Sequence, residues 1–160
     1  MFIRFITTGG TIDKIYFDAK SRFEVGEPTV SQILADGLVA IEHEIVPLFH
    51  KDSLDMSAAD RAELRRYVEQ DEARHIVITH GTDTMVETAA ALEGIPEKAI
   101  VLTGALSPAR FRSTDAVFNV GMAVAAVQLV EAGVYIAMNG RVFKSGEARK
   151  NRDANRFEPL

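Results

Sequence analysis

The sequence predicts an α/β fold: a three-layer, doubly wound, mostly parallel sheet with helices on both faces, of the Rossmann-like or flavodoxin-like kind. Three observations lead to this prediction. Segments with strand patterns alternate along the chain with segments of helical periodicity. Several strand segments are continuous apolar runs, which is typical of parallel strands that are covered on both faces. The 160 residues, 47% hydrophobic and 26% charged, are enough for one folded domain.

The predicted strands are short apolar or alternating segments. Residues 2–7 (FIRFIT) form an apolar run that stops at two glycines, whereas residues 41–48 (IEHEIVPL) alternate between apolar and polar. The five predicted strands are 2–7, 41–48, 75–79, 99–103 and 134–138. Residues 12–28 mix polar and aromatic side chains and predict a long loop or a small hairpin, which in a compact domain is more often functional than idle.

The predicted helices lie between these strands. Apolar residues recur at helical spacing in four segments, and the helices are predicted over 29–38, from Ser57 onward, over 84–92 and over 114–132. Ser57 followed by Asp60 is close to a capping box, the hydrogen-bond pattern that begins many helices.

Composition and charge exclude several classes of function. The net charge of −5, without a clustered basic face, argues against a nucleic-acid partner. The absence of cysteine rules out disulfides and a thiol nucleophile, and the four histidines lack the spacing of metal ligands, so we expect no metal and no cofactor. Asp52 and Asp55 could hold a cation as a pair, but a solvated or capping role is favoured. No segment has the length of a signal peptide's apolar region or of a membrane span, so we expect a soluble, cytoplasmic protein without a membrane partner.

Four of the five predicted strand ends carry hydroxyls, small residues or an acid, and ligands of such sheets bind at the carboxyl ends of the strands. The turn TTGGT places Thr11 after two glycines, where the backbone can approach a ligand closely. The alternative interpretation of this motif is a simple tight turn. It is neither a dinucleotide-binding loop nor a phosphate loop, because it lacks the residue spacing of both. The turn HGTDT places Thr82 and Asp83 between a strand and a helix. Either residue alone could cap that helix, but together they supply a hydroxyl and a carboxylate where ligands bind.

A hydroxyl nucleophile needs a base, and the sequence offers few bases. No serine lies in a Gly-x-Ser-x-Gly turn. His80 lies at a strand end but is interpreted as a packed or capping side chain. Lys150 lies in the charged segment ARKNRDANR, which by itself indicates an exposed surface lysine. Desolvation lowers the pKa of a lysine, so a buried lysine could act as the base.

These motifs together resemble the bacterial-type L-asparaginases, amidohydrolases that convert asparagine to aspartate and ammonia. TTGGTID and VITHGTDTMVETA are similar to the two signature motifs of that family, at the family's separation. The segments DSLDM, TGALSP and MNGRVFKSGEARK resemble further site regions of the family. The resemblance extends over the whole chain but only over the N-terminal domain of the family. It therefore implies a single domain over residues 1–160, with the family's smaller C-terminal domain absent.

The resemblance assigns catalytic roles to particular residues. Thr11 would be the nucleophile that attacks the side-chain amide and forms an acyl-enzyme. Thr82 would be the second threonine, which positions or activates water. Lys150 would hydrogen-bond to Thr82 and withdraw its proton. Phe23 stands where the lid of the family has a tyrosine, and Tyr16 is the nearby tyrosine that could replace it.

The resemblance also implies how a zwitterionic amino acid would bind. Asp83 would hold its α-ammonium group and Ser53 its α-carboxylate, while the backbone at Ala105 would face the leaving amide. Such a substrate needs an acceptor on one side and donors on the other. Leu54 stands where the family has a polar residue, which makes this part of the site more apolar.

Three hypotheses about function follow. The first is an active amidohydrolase that acts on asparagine or a related small amide. The second is a catalytically weak or inactive protein that binds an amino acid or amide, which Phe23, Leu54 and the absent domain would favour. The third is a structural subunit that has lost its activity. The resemblance also implies a homodimer or homotetramer.

Overall fold

The computed structural model describes residues 1–17 and 22–160 and contains a central sheet of six strands. The predicted lid segment KSRFEVG is described only from residue 22 onward, because Lys20 and Ser21 lie outside these ranges. The strands are β1 Phe2–Gly9, β2 Lys14–Phe17, β3 Arg22–Val25, β4 Glu42–Lys51, β5 His75–Thr79, β6 Ala99–Thr103, β7 Gly133–Met138, β8 Arg141–Lys144, β9 Ala148–Asn151 and β10 Arg156–Pro159. The helices are α1 Val30–Asp36, α2 Ala58–Gln70, α3 Met85–Ala91 and α4 Ala116–Val127.

The central sheet is mostly parallel, as predicted. Its order is β4-β1-β5-β6-β7-β8, and only the β7–β8 pair is antiparallel. The chain therefore winds outward from β1 in both directions, first to β4 and then to β5 and beyond. Ligands of such sheets bind where the winding reverses, which is here between the carboxyl ends of β1 and β5.

Two hydrophobic cores cover the two faces of the sheet. Alternate residues of each strand point to opposite faces, so that Ile78 packs with α2 and α3 while its neighbour Val77 packs with α1 and α4. The predicted doubly wound, three-layer arrangement is confirmed. Within the described residues, none of the helices has the length and apolar character needed to cross a bilayer.

Most of the predicted elements are present, and the main corrections concern their ends. The predicted capping box is confirmed, since Ser57 and Asp60 each accept a hydrogen bond from the backbone N–H of the other. Residues 12–28 contain a short 3₁₀ turn and the β2–β3 hairpin. The helix predicted over 114–132 is wrong in extent, because α4 spans only Ala116–Val127. Beyond Val127 the chain turns toward β7, and Leu129 is exposed.

Three strands after residue 138 were not predicted. Asn139 and Gly140 have φ values of 53° and 78° and join β7 to β8. Positive φ at both central residues is the requirement of a type I′ hairpin turn, for which Asn-Gly is a preferred sequence. The dipeptide therefore carried a signal for β8 in the sequence. Strands β9 and β10 form a separate two-stranded antiparallel sheet.

Candidate active site

The turns after β1 and β5 are in direct contact at the reversal point of the sheet. Gly10 has a φ of 90°, and a Cβ atom placed on it would lie 2.4 Å from Gly81 Cα. Only glycine fits such a close approach with positive φ. Gly10 precedes Thr11 and Gly81 precedes Thr82, so this contact brings the two signature motifs together. Thr11 is partly exposed and begins the 3₁₀ turn, while Thr82 is almost fully buried.

Lys150 joins the second signature motif through two short hydrogen bonds. Its Nζ lies 2.7 Å from Thr82 Oγ1 and 2.7 Å from Asp83 Oδ1. The side chain of Lys150 is 13% exposed and that of Asp83 35% exposed. The alternative in which Thr82 or Asp83 caps the following helix is not seen, because the N-cap of α3 is Thr84. The structure therefore brings three of the predicted site residues into one cluster.

The position of Lys150 corrects the interpretation of its segment as an exposed surface. Lys150 lies in β9, and Phe157 of β10 is its cross-strand partner. Phe157 and Ala148 are buried against the core that contains α3. These two buried apolar side chains hold the mostly charged β9–β10 hairpin against the protein. The sequence ARKNRDANRFEP did not reveal these two residues, because single apolar residues among many charges do not produce a strand pattern.

Ser53 provides a buried hydroxyl beside the same turn. It is 1% exposed, and its Oγ has no hydrogen-bond partner among the described residues. A Cβ atom on Gly81 would lie 2.6 Å from this Oγ, which shows how closely the serine packs against the turn. The carbonyl oxygen of Ser53 accepts a hydrogen bond from Thr84 Oγ1 at 2.8 Å. A buried hydroxyl without a partner has a free energy cost that a ligand can remove.

The neighbouring Asp52 has the capping role that the sequence suggested. Its carboxylate accepts from the backbone N–H of Leu54 and pairs with Lys14, with 2.6 Å between Lys14 Nζ and Asp52 Oδ2. These contacts lower the pKa of Asp52 although its partial burial acts in the opposite direction. Over residues 1–17 and 22–160, no cluster of three or more His, Asp or Glu side chains has the arrangement of a metal site.

Tyr16 and Phe23 lie opposite each other in the β2–β3 hairpin. They are cross-strand partners with ring centroids 5.4 Å apart, and both are about half exposed. Phe23 also contacts Phe111, with 5.9 Å between ring centroids. The base of the hairpin is fixed by Asp13, whose Oδ1 accepts from both the N–H and the Oγ1 of Thr29, at 2.8 and 2.9 Å. Burial raises the pKa of Asp13.

Ala105 is fully buried just after β6, and the loop that follows is held by a carboxylate that was not among the predicted site residues. Asp115 accepts hydrogen bonds from the backbone N–H groups of Leu106 and Ser107, all at 3.0 Å. Asn119 donates to the carbonyl oxygen of Gly104 at 3.1 Å. A signal was present in the sequence, since two polar residues, Asp115 and Asn119, stand four apart at the start of an apolar helix.

His80 is completely buried beneath the second signature turn, and the prediction of a packed side chain is confirmed. Its Nδ1 lies 2.7 Å from Gly81 O and must donate, because a carbonyl oxygen only accepts. Its Nε2 therefore accepts from the hydroxyl of Thr88 at 2.9 Å. Burial lowers the pKa of His80 to about 4, while its hydrogen bond to Gly81 acts in the opposite direction.

Comparison with known proteins places these motifs in context. The family model described as "Asparaginase, N-terminal" matches residues 2–158. The chain is 31% identical over 163 residues to the glutaminase-asparaginase of Acinetobacter glutaminasificans, covering 91% of this chain and 48% of that protein. It is 28% identical over 169 residues to the L-asparaginase of Bacillus licheniformis, covering 96% of this chain and 51% of that protein.

Solved structures give the same comparison at the level of the fold. The thermostable L-asparaginase of Thermococcus kodakarensis superposes with a TM-score of 0.85 at 24% identity, over 100% of this chain and 51% of that one. L-asparaginase I of Vibrio cholerae superposes with a TM-score of 0.79 at 25% identity, over 99% of this chain and 51% of that one. The chain spans about half the length of these relatives.

Proposed function

Because this chain belongs to the asparaginase family, as its two motifs indicated, we propose that it hydrolyses the side-chain amide of asparagine, or of a related small amide, to the acid and ammonia. The observation that carries the proposal is the contact of Lys150 Nζ with Thr82 and Asp83, each at 2.7 Å. A nearly buried lysine that reaches a buried hydroxyl across 68 residues of sequence is not needed to form either the hairpin or the helix.

The reaction proceeds through a threonine nucleophile. Thr11 Oγ attacks the amide carbon, a C–O bond forms, and the carbonyl electrons move onto oxygen. Backbone N–H groups of the turns around Gly10 and Thr82 stabilise that oxyanion. Collapse of the intermediate breaks the C–N bond and releases ammonia, which takes up the proton of Thr11. Water then attacks the acyl ester, regenerating the threonine hydroxyl and releasing the acid.

Thr82, Asp83 and Lys150 act together on the other side of the substrate. Lys150 donates to Asp83 Oδ1, which leaves Asp83 Oδ2 to accept from the α-ammonium of the substrate. As the neutral amine, Lys150 receives the proton of Thr82, and Thr82 in turn activates the attacking water.

Orientation of the substrate depends on the polar groups around the turns. The free Oγ of Ser53 donates to the α-carboxylate, which supplies the hydrogen bond that this hydroxyl lacks. The backbone at Ala105 faces the leaving amide. Tyr16 takes the part of the lid tyrosine, a role supported by its position directly across the hairpin from Phe23. The exposed Leu54 makes the rim of the site apolar.

The assembly of the protein belongs to the same proposal. Residues 1–160 act as one domain in a homodimer or homotetramer, located in the cytoplasm, without a metal or cofactor. A structural neighbour at 27% identity and a TM-score of 0.75 is the probable cytoplasmic L-asparaginase of Campylobacter jejuni. Support for self-association comes from the apolar outer face of α4, on which Val117 and Phe118 are exposed.

Ammonia release from L-asparagine, L-glutamine and D-asparagine tests the proposed reaction. We expect turnover of at least one of them by the wild-type protein. Thr11→Ala, Thr82→Ala and Lys150→Met are expected to lower kcat by roughly 10²- to 10⁴-fold, the range of acid–base and nucleophilic contributions. Ser145→Ala is the control, because it removes an exposed hydroxyl that bonds Glu93 and should leave the rate unchanged.

Two results would contradict the proposed reaction. The first is a folded wild-type protein that releases no ammonia from any of the three amides. Saturable binding of an amino acid without turnover would then favour the catalytically inactive binder. The second is turnover that survives Thr11→Ala and Thr82→Ala alike, which would exclude the two-threonine chemistry even if the protein is a hydrolase.

A further inference from the structure

Asn139 lies outside the catalytic cluster, in the two-residue turn between β7 and β8. Its backbone conformation is explained by that turn, since both Asn139 and Gly140 have positive φ and Met138 pairs with Arg141 across it. Glycine satisfies the same backbone requirement at no steric cost. The turn therefore does not require the side chain of Asn139.

The side chain of Asn139 reaches the hairpin that carries Lys150. Asn139 Oδ1 accepts a hydrogen bond from the backbone N–H of Phe157 at 2.8 Å. Phe157 is the cross-strand partner of Lys150, and its ring is 2% exposed in the core beside α3. One hydrogen bond and one buried ring thus fix the hairpin directly across from the lysine.

The other side of Asn139 leads to the loop after β6. Its backbone N–H donates to Asn119 Oδ1 at 3.3 Å. Asn119 is 1% exposed, and its Nδ2 donates to Gly104 O at 3.1 Å and to Asp115 Oδ2 at 2.8 Å. The loop that contains Ala105 and the hairpin that contains Lys150 are therefore joined by a continuous chain of hydrogen bonds.

We propose that Asn139 is a positioning residue, which holds the β9–β10 hairpin so that Lys150 Nζ meets Thr82 and Asp83. This inference rests on the proposed function. The contacts of Lys150 are 2.7 Å long, so a displacement of the hairpin by about 1 Å would take them beyond hydrogen-bonding distance. Displacements of this size at a catalytic group cost about 10²-fold in rate. The same series of hydrogen bonds fixes the loop that contains Ala105 relative to the hairpin that contains Lys150.

The test compares two substitutions of Asn139 that both suit its positive φ. Asn139→Gly removes the acceptor and keeps the turn, whereas Asn139→Asp keeps an oxygen acceptor in the same place. The aspartate is tolerated electrostatically, since the surface cavity of about 570 Å³ that Asn139 lines contains three arginines, Arg141, Arg149 and Arg156, against one carboxylate, Glu158. Asn155→Gly is the matched control, because Asn155 also has positive φ, is exposed, and lies in the loop between β9 and β10.

Three measurements are made on each variant: hydrogen exchange at the Phe157 amide, the crystallographic distance from Lys150 Nζ to Thr82 Oγ1, and kcat and KM for the best amide. In Asn139→Gly we expect roughly 5- to 10-fold faster hydrogen exchange at the Phe157 amide, because that amide loses one hydrogen bond. The distance lengthens and kcat falls roughly 10- to 100-fold, with KM within about twofold of wild type. Asn139→Asp and Asn155→Gly stay within about threefold of the wild-type kcat, as expected for substitutions that leave the contact intact.

The outcomes separate this inference from the proposed function. Unchanged exchange at Phe157 or an unchanged kcat in Asn139→Gly would overturn the positioning role, as would an Asn139→Asp variant as damaged as Asn139→Gly. A wild-type protein without turnover would contradict the proposed function alone. In that case the first two measurements still decide: a lengthened Lys150–Thr82 distance with faster exchange supports the positioning role, and an unchanged distance overturns it.

Discussion

His80 stabilises the second signature turn as a neutral ring, since its Nδ1 donates to Gly81 O and its Nε2 accepts from Thr88. A second proton would occupy Nε2 and remove that acceptor. Burial of the ring also disfavours the charged form and lowers the pKa of His80 to about 4. In the unfolded chain a histidine takes up its proton near pH 6.5.

Stability should therefore fall between about pH 6.5 and pH 4. In this range the unfolded state binds a proton at His80 that the folded state does not, so unfolding becomes easier as the pH is lowered. The full effect is about 3 kcal/mol, from the difference between the two pKa values. Urea unfolding of the wild type between pH 7.5 and pH 4.5 measures it.

His80→Gln is the matched variant, because glutamine keeps one donor and one acceptor but does not titrate. Its stability is expected to depend less steeply on pH than that of the wild type. Asp13, whose raised pKa stabilises the fold as the pH falls, is present in both proteins and cancels in the difference. Parallel stability curves for the two proteins would exclude His80 as the source.

At the scale of elements, the local pattern of apolar and polar residues predicted the strands and helices whose sequences have one clear periodicity. The apolar runs before Thr11 and Thr82 indicated buried strands, and the cap at Ser57 indicated where α2 begins. The Lys150 hairpin was missed because its stability comes from two buried side chains and from distant contacts, such as that of Asn139 with Phe157. Contacts between residues far apart in sequence leave no periodic signal.

The candidate site shows the same division. The motifs placed Thr11, Thr82 and Asp83 at strand ends, which the sheet order brings to one edge. The role proposed for Lys150 could be inferred only through the family resemblance, since charge alone indicated an exposed side chain. The hydrogen bonds of Asp115 and Asn119 were not predicted, because the signal was ambiguous: a helix start with polar residues has the same pattern whether or not it supports a neighbouring loop.

The close packing of Gly81 against Ser53 leads to a prediction about Gly81. A Cβ atom on Gly81 would lie 2.5 Å from Ser53 Cβ, and both groups are buried. We expect Gly81→Ala to displace Ser53, to raise KM, and to lower the free energy of unfolding by about 1–3 kcal/mol, the usual cost of overpacking. Amide hydrolysis and urea unfolding measure the two effects.

Gly121→Ala in α4 is the control for this substitution. Nothing lies within 4 Å of a Cβ atom at Gly121, and alanine favours helix over glycine by about 0.5–1 kcal/mol. The control should therefore be as stable as the wild type or slightly more so, with an unchanged KM. If Gly81→Ala behaved in the same way as this control, the close packing of Gly81 against Ser53 would have no part in substrate binding.

At the scale of the whole molecule, α4 is unusual because Ala116–Val127 contains no charged residue. One side of the helix packs in the core, while Val117 and Phe118 on the other side are 57% and 64% exposed. A helix that is apolar on all sides is normally buried. Exposed Arg112 precedes the helix and exposed Glu131 follows it. Two copies related by a two-fold axis, with their α4 helices antiparallel, would therefore place opposite charges together at both ends.

This charge complementarity favours a second copy of the same chain as the partner that covers the apolar face of α4. We expect the wild-type protein to sediment as a dimer or tetramer, and Val117→Glu combined with Phe118→Glu to sediment as a folded monomer, because buried charges at the contact are costly. Val142→Glu on the edge strand β8 is the control for association through the sheet edge and should leave the assembly intact.

The same surface connects assembly to the site, because Phe111 lies in the loop before α4 and contacts Phe23 of the hairpin. A partner seated on α4 would lie near this contact and restrict the movement of the hairpin. Activity per chain should therefore fall on dilution in parallel with dissociation of the wild type, and the double variant should show the low value at all concentrations. A monomeric wild type, or a double variant that still assembles, would contradict an interface at α4. Activity that is independent of concentration while the assembly dissociates would confine the interface to a structural role.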